Sequence, residues 1–154
     1  MPPTLPPHPG SCSGSTLGLM FRQVRDAMWA RMAHELAQAG HDLTFSQYVT
    51  IKKLAAGTAS VTDLARAAEL NPGAMTRLLD RLEARGLIAR VTDPADRRAL
   101  HIHLTPAGQT IWRDVDQCGL RVREHAMAGM SEAERDHLMR MLAQVRDNLL
   151  LTDR

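Results

Sequence analysis

The stretch from Asn71 to Leu104, NPGAMTRLLDRLEARGLIARVTDPADRRALHIHL, decides the fold. Asn71-Pro72 reads as a helix start. An asparagine oxygen can accept from a free backbone N–H of the first turn, and proline suits the first helical position because its missing N–H is not needed there. Met75, Leu78, Leu79 and Leu82 follow at i, i+3, i+4 and i+7, the spacing of one buried helical face, and Gly86 supplies the left-handed stop. Past Gly86 the period drops from about 3.6 residues to 2. Leu87–Val91 reads as a strand, Thr92–Arg98 as a turn-rich tip, and Leu100-His101-Ile102-His103-Leu104 alternates apolar and polar as a second strand. The stretch is a helix followed by a β-hairpin with one buried face.

Upstream, Leu17, Met20, Val24, Met28 and Met32 mark an amphipathic helix that runs from Leu17 to about Ala39 and ends at Gly40. Thr44 is the expected N-cap of a second helix, with Phe45, Tyr48, Ile51 and Leu54 on its buried side and Gly57 as its stop. Thr62 is the expected cap of a short third helix, with Leu64, Ala65 and Ala68 facing inward. Downstream, Thr105-Pro106 repeats the cap-then-proline signal and opens a long helix with Ile111, Val115, Cys118 and Val122 on one stripe. After a break near Gly129, Ser131 and Glu134 form a capping box for a last helix carrying Leu138, Leu142, Val145 and Leu149.

The expected fold is mainly α with a small β-hairpin wing: a winged helix-turn-helix flanked by N- and C-terminal dimerisation helices. Residues 1–16, with five of the eight prolines, read as a disordered tail. Residues 17–150 read as one domain, with the winged module at 43–104 and the dimerisation helices at 17–39 and 106–150. The outer helices carry more apolar stripe than the module can cover, so a second copy of the chain is the expected cover, as a symmetric homodimer.

Composition narrows the class. The chain has 154 residues, 44% hydrophobic and 23% charged, which excludes a wholly disordered chain. No apolar run approaches the roughly 18–20 residues of a membrane helix, and no secretory signal opens the chain, so a soluble cytoplasmic protein is expected. Two cysteines exclude a disulfide scaffold. A net charge of +2 does not by itself argue for nucleic acid. Placement says more. Arg77, Arg81 and Arg85 lie at i, i+4 and i+8 along one line of the helix after Asn71, and Asn71, Gly73 and Thr76 sit at the end that would enter a major groove. Arginine can bond guanine O6 and N7 in a fork or hold phosphate. Asp80 and Glu83 on the same helix are expected to compete for these arginines. Arg97 and Arg98 stand at the hairpin tip, where they can enter a minor groove or clamp phosphates, with Asp96 fixing their geometry. Ser60 and Thr62, near a helix start, are candidate phosphate contacts. The five aromatics, Phe21, Trp29, Phe45, Tyr48 and Trp112, all avoid residues 77–98. That argues for duplex DNA over single strands, which stack bases on aromatics beside cations.

Several motifs resemble the multiple-antibiotic-resistance regulator (MarR) family: Leu43-Thr44-x-x-Gln47, Asp63-Leu64-Ala65, Met75 through Ile88, Asp96-Arg97-Arg98 and Leu104-Thr105-Pro106-Ala107-Gly108. The similarity runs in order from about residue 17 to 150. It implies a homodimeric winged-helix transcription factor, usually a repressor, on a pseudo-palindromic operator that it leaves on binding a small phenolic or carboxylate ligand or on oxidation. It also implies that the helix at 71–85 reads the major groove and Arg98 the minor groove. Many members carry an acidic residue near the position of Asn71 that pairs with the wing, and here Asn71 reads as a cap instead.

The first, second and fifth helices surround the region where the family binds ligands. Met28, Met32, Phe45, Tyr48 and Trp112 are candidate lining residues, with Arg31 as counter-ion for a carboxylate. A methionine and aromatic stripe at this spacing is also ordinary core composition, and both readings stand. Oxidant-sensing members use a cysteine near the first helix, which makes Cys12 the residue for that alternative; Cys118, on an apolar stripe, reads as a core residue. His101 and His103 share a strand face, and His34 and His41 flank a helix end, but no Cys or carboxylate completes a metal set, so no metal and no cofactor are expected. No phosphate loop, nucleophile elbow or HExxH appears, so the chain is not read as an enzyme. The reading is a homodimeric, sequence-specific duplex-DNA-binding regulator, released by a small aromatic or carboxylate effector. The alternatives are a winged-helix protein-interaction module and an oxidant-sensing repressor.

Overall fold

The computed structural model describes residues 14–151. The order is α1 (Gly14–Gln38), α2 (Phe45–Ala55), α3 (Val61–Ala67), α4 (Pro72–Ala84), β1 (Ile88–Thr92), β2 (Leu100–Leu104), α5 (Pro106–Ala126) and α6 (Glu132–Leu150). Helix α1 begins at Gly14, so residues 14–16, expected in the tail, are helical. Pro9 is the last proline before it, and nothing in these residues forbids helical backbone.

Local chemistry sets most boundaries. Thr44 caps α2 and exchanges bonds with Gln47, whose side chain accepts from the Thr44 N–H. Asn71 Oδ1 accepts from Ala74 N at 2.8 Å, with Pro72 in the first turn of α4. At the other end Gly86, with φ 73°, donates to Glu83 O while Leu87 N donates to Leu82 O. That paired closure satisfies the last carbonyls of α4 and delays β1 by one residue relative to the alternation pattern. Helix α3 is the one cap misread from sequence: Ser60, not Thr62, accepts from Asp63 N, and the helix starts at Val61. Ser60 follows directly on Ala59, which pairs with Ile102 of β2 through two backbone bonds, so the chain leaves the sheet extended and can cap at once.

β1 and β2 pair antiparallel, with Ile88 opposite Leu104 and Arg90 opposite Ile102. Ile88, Ile102 and Leu104 are buried on the face that packs on the helices. The core is one cluster in which Met75, Leu79 and Leu82 of α4 meet Ile51 and Leu54 of α2, Leu64 of α3 and Leu36 of α1. Helix α5 packs on α1, held by Glu35–Arg121 and His41–Asp114 pairs.

The outer helices are bare. Of the expected α1 stripe only Met32 is buried, while Leu17, Met20, Val24 and Met28 are exposed. Helix α6 has no buried residue, and Leu142 and Leu149 stand exposed. Among the described residues no helix is long and apolar enough to cross a membrane.

Candidate nucleic-acid interface and ligand cleft

With Met75, Leu78, Leu79 and Leu82 turned inward, the outer arc of α4 divides into two edges. One carries Arg77, Arg81 and Arg85, all exposed. Among the described residues none of the three joins an ion pair. The other edge carries Asp80 and Glu83. Sequence reasoning expected these carboxylates to compete for the helix's own arginines, but both go to Arg90 on β1, at 2.7 and 3.1 Å. The register explains it: Arg90 stands opposite Ile102, on the hairpin face that looks at α4.

Arg77 and Arg81 border a groove of about 330 Å³ that α4 shares with the start of α2, lined also by Thr44, Ser46, Gln47 and Ala74. Gly73 and Thr76 lie exposed at the N-terminal end of α4. A Cβ on Gly73 would meet only Asn71 Oδ1 at 3.5 Å, so the fold does not demand glycine there. The Thr76 hydroxyl donates to Pro72 O at 2.9 Å and keeps its oxygen free to accept. Asn71 serves α4 as its cap. Ser60 spends its oxygen on capping α3, and Thr62 is exposed one turn-step further on.

The wing tip is braced by carboxylates acting on backbone. Asp93 Oδ1 accepts from Ala95 N at 2.8 Å, and Oδ2 meets His101 Nε2 at 3.3 Å. The Ala95 N–H, then the His101 ring, hold the Asp93 carboxyl below its usual pKa. Asp96 Oδ1 accepts from Arg98 N at 3.0 Å. Asp96 therefore orders the loop without neutralising its guanidiniums, and Arg97 and Arg98 project exposed, outside any ion pair among the described residues.

A second feature lies between the winged module and the outer helices. A cleft of about 560 Å³ is lined by α1, α2 and α5. Met28, Met32, Phe45, Tyr48 and Trp112 line it, together with Phe21, Trp29, Lys52 and Asp116, which sequence reasoning did not single out. Trp29 is central: its ring meets Phe45 edge-on at 5.1 Å and Tyr48 at 5.7 Å. Its spacing from Met32 and Arg25, three and four residues, was the available signal. Phe45 and Tyr48, expected on the buried side of α2, are exposed and half-buried because they face this cleft. Arg31 does not line it. Its guanidinium pairs with Glu35 at 3.3 Å and borders a smaller cleft beside Val122 and His125. The cations at the large cleft are Arg25 and Lys52, the latter with its Nζ 6.0 Å from the Tyr48 ring centre.

Cys118 is buried on α5, its pKa raised by that burial, and its sulfur accepts from Arg121 at 3.2 Å. Cys12 lies outside the described residues. His101 and His41 each face one carboxylate, and among the described residues no group of three or more His, Cys, Asp or Glu gathers as a metal set.

Comparison with known proteins agrees with this geometry. Residues 43–100, the winged module up to β2, match the MarR family. A candidate transcriptional regulatory protein for the hcr operon of Thauera aromatica is 28% identical over 137 residues, covering 88% of this chain and 81% of the relative. Among solved structures, NadR in complex with 4-hydroxyphenylacetate is 26% identical, with a TM-score of 0.70 over 92% of this chain and 97% of its own. BpsR of Bordetella bronchiseptica, whose DNA binding is regulated by 6-hydroxynicotinic acid, shares the fold at 24% identity, with a TM-score of 0.72 over 90% of this chain and 99% of its own. The capped helix with its arginine edge, the hairpin beside it and these likenesses together identify residues 43–100 as a MarR-type winged helix-turn-helix, and the chain is similar to transcriptional regulators that carry this module.

Proposed function

We propose that the chain is a homodimeric repressor that holds a pseudo-palindromic operator in the cytoplasm and releases it on binding a small aromatic carboxylate. The observation that carries the reading is the free arginine edge of α4 beside a wing whose carboxylates brace backbone and leave Arg97 and Arg98 unneutralised. In this reading Gly73, Thr76, Arg77 and Arg81 enter the major groove, with Asn71 setting the helix end that leads in. Arg98, with Arg97, reaches the minor groove and holds the phosphates at its edge, and Ser60 and Thr62 lie against phosphate. Two α4 helices of a dimer then fall about 34 Å apart, one turn of duplex. The bare apolar faces of α1 and α6 support the dimer.

The effector belongs in the cleft of α1, α2 and α5. Its aromatic lining suits a flat ring, and Lys52 and Arg25 supply cations for a carboxylate. The ligand of NadR, 4-hydroxyphenylacetate, has this chemistry. Because the cleft joins α2, which borders the α4 groove, to α5, filling it changes how the two modules meet.

The test is fluorescence anisotropy on duplex DNA from upstream of the protein's own gene, at two salt concentrations, with and without 4-hydroxybenzoate. Tight, salt-steep binding that the acid weakens is expected. Binding no tighter than to scrambled duplex would overturn the operator reading and favour a protein partner for the winged module.

A further inference from the structure

Between the arginine edge of α4 and the wing tip lie Asp80 and Glu83, both exposed on the side of α4 that faces the hairpin. Left to themselves, two carboxylates there would repel a phosphate backbone passing from the recognition helix to the wing. Asp80 also lies three residues from Arg77, close enough on a helix surface to draw that guanidinium away from a base. Both effects would weaken the surface at its centre.

In the structure one side chain on another element takes both acids. Arg90 reaches from β1 with Nη2 2.7 Å from Asp80 Oδ1 and Nη1 3.1 Å from Glu83 Oε2. Its side chain is 25% exposed, against 59% and 46% for the acids, so the cation is the more sheltered partner. A guanidinium is the group suited to this, because its two terminal nitrogens can serve two carboxylates at once where an ammonium offers one point charge.

We propose that Arg90 is a positioning residue for DNA binding that acts as an electrostatic shield: it cancels Asp80 and Glu83 and keeps Arg77 free. It does not itself touch the duplex. The proposal rests on the α4 surface reading above and adds a role for a residue outside that surface.

The experiment compares operator affinity and its salt dependence for the full-length protein and three variants. Arg90→Met is expected to bind on the order of tenfold more weakly, since like charges facing one another at an interface are costly. Its slope of log K against log salt should stay unchanged, because no phosphate contact is lost. Asp80→Asn/Glu83→Gln/Arg90→Met should return to within about threefold of the parent, because with the acids gone no shield is required. Arg90→Gln, read in the same way, replaces Arg90→Met should that variant not fold. Wild-type affinity in Arg90→Met, a slope reduced by about one unit, or a folded triple variant that stays weak would each overturn the shield. Arg81→Ala measured alongside separates the two readings: if it keeps full affinity, the α4 surface itself is wrong and the shield falls with it. If it loses affinity while Arg90→Met does not, only the shield is wrong.

Discussion

Gly108, in the first turn of α5, lies so close to Leu87 that a Cβ there would overlap the Leu87 carbonyl oxygen. Three hydrogen bonds explain the approach. Thr105 Oγ1 donates to Gly86 O at 2.6 Å and accepts from Gly108 N, while Thr105 N donates to Leu87 O at 3.0 Å. The end of α4, the start of β1 and the N-cap of α5 therefore meet at one point, which joins α4 to the helix that lines the large cleft.

Gly108→Ala is expected to destabilise the protein. Alanine gains about 1 kcal/mol of helix propensity over glycine. Overpacking costs about 1–3 kcal/mol, and here the group that must move is backbone tied down by Thr105, so the cost should fall at the upper end. Urea denaturation should show a net loss of roughly 1–2 kcal/mol. A variant more stable than the parent would mean the junction can open without cost.

Much of this was legible in the sequence, because caps and periods are local. Thr44, Asn71, Thr105 and Ser131 all cap where their residue types and neighbours said they would. Ser60 was missed because its capping role follows from the Ala59–Ile102 bridge, a pairing between residues 43 positions apart that no local pattern carries. Arg90 was missed for the same reason: pairing Asp80 and Glu83 with arginines of their own helix needs only helical spacing, whereas Arg90 depends on hairpin register. In the cleft, the aromatics were visible by type and helix. Which cation joined them depended on how α1 rotates against α5, and Glu35 had already claimed Arg31.

Arg98→Ala and Arg81→Ala should each weaken operator binding, with different signatures. A lost phosphate contact lowers the salt slope by about one unit and weakens all sequences alike. A lost base contact costs about 1–3 kcal/mol and relaxes specificity at one position. Arg98→Ala is expected to show the first behaviour on scrambled and cognate duplex alike, and Arg81→Ala the second. Anisotropy titrations at several salt concentrations read both, and an unchanged slope for Arg98→Ala would remove the wing from the backbone.

Lys52→Met should weaken 4-hydroxybenzoate binding by about ten- to a hundredfold, since a charge-assisted bond contributes about 1.5–3 kcal/mol when it is well formed. Arg31→Met, outside the cleft, should leave that affinity unchanged. Tyr48→Ala should reduce the response while leaving operator affinity intact. Trp29, in contact with both Phe45 and Tyr48, makes its own fluorescence the readout. Equal losses in the Lys52 and Arg31 variants would place the carboxylate elsewhere.

Acid should loosen the wing before the core. The folded-state pKa of Asp93 is depressed, chiefly by the Ala95 N–H and then by His101, so its contribution is complete above the ordinary aspartate value of 3.8 and is lost as pH falls through its own lower value. Amide exchange at Ala95 should stay protected at mildly acid pH and accelerate only below 3.8. Asp93→Asn should abolish that step. Persistent protection of Ala95 at the lowest pH, with the core intact, would mean the turn is held by its backbone bonds alone.

Dimerisation should fail through α6. Leu142 and Leu149 stand exposed at helical spacing, α6 buries no residue within its own chain, and Leu17, Met20 and Val24 of α1 are exposed as well. An uncovered patch of that kind marks an interface in a folded protein. Leu142→Asp places a charge in its middle and leaves the core of the winged module untouched. Sedimentation should therefore show a monomer with a normal far-UV spectrum. Operator affinity should collapse far more than for any single arginine variant, because the second half-site no longer binds as part of the same particle. A Leu142→Asp chain that sediments as a dimer would put the symmetric interface on another face of the molecule.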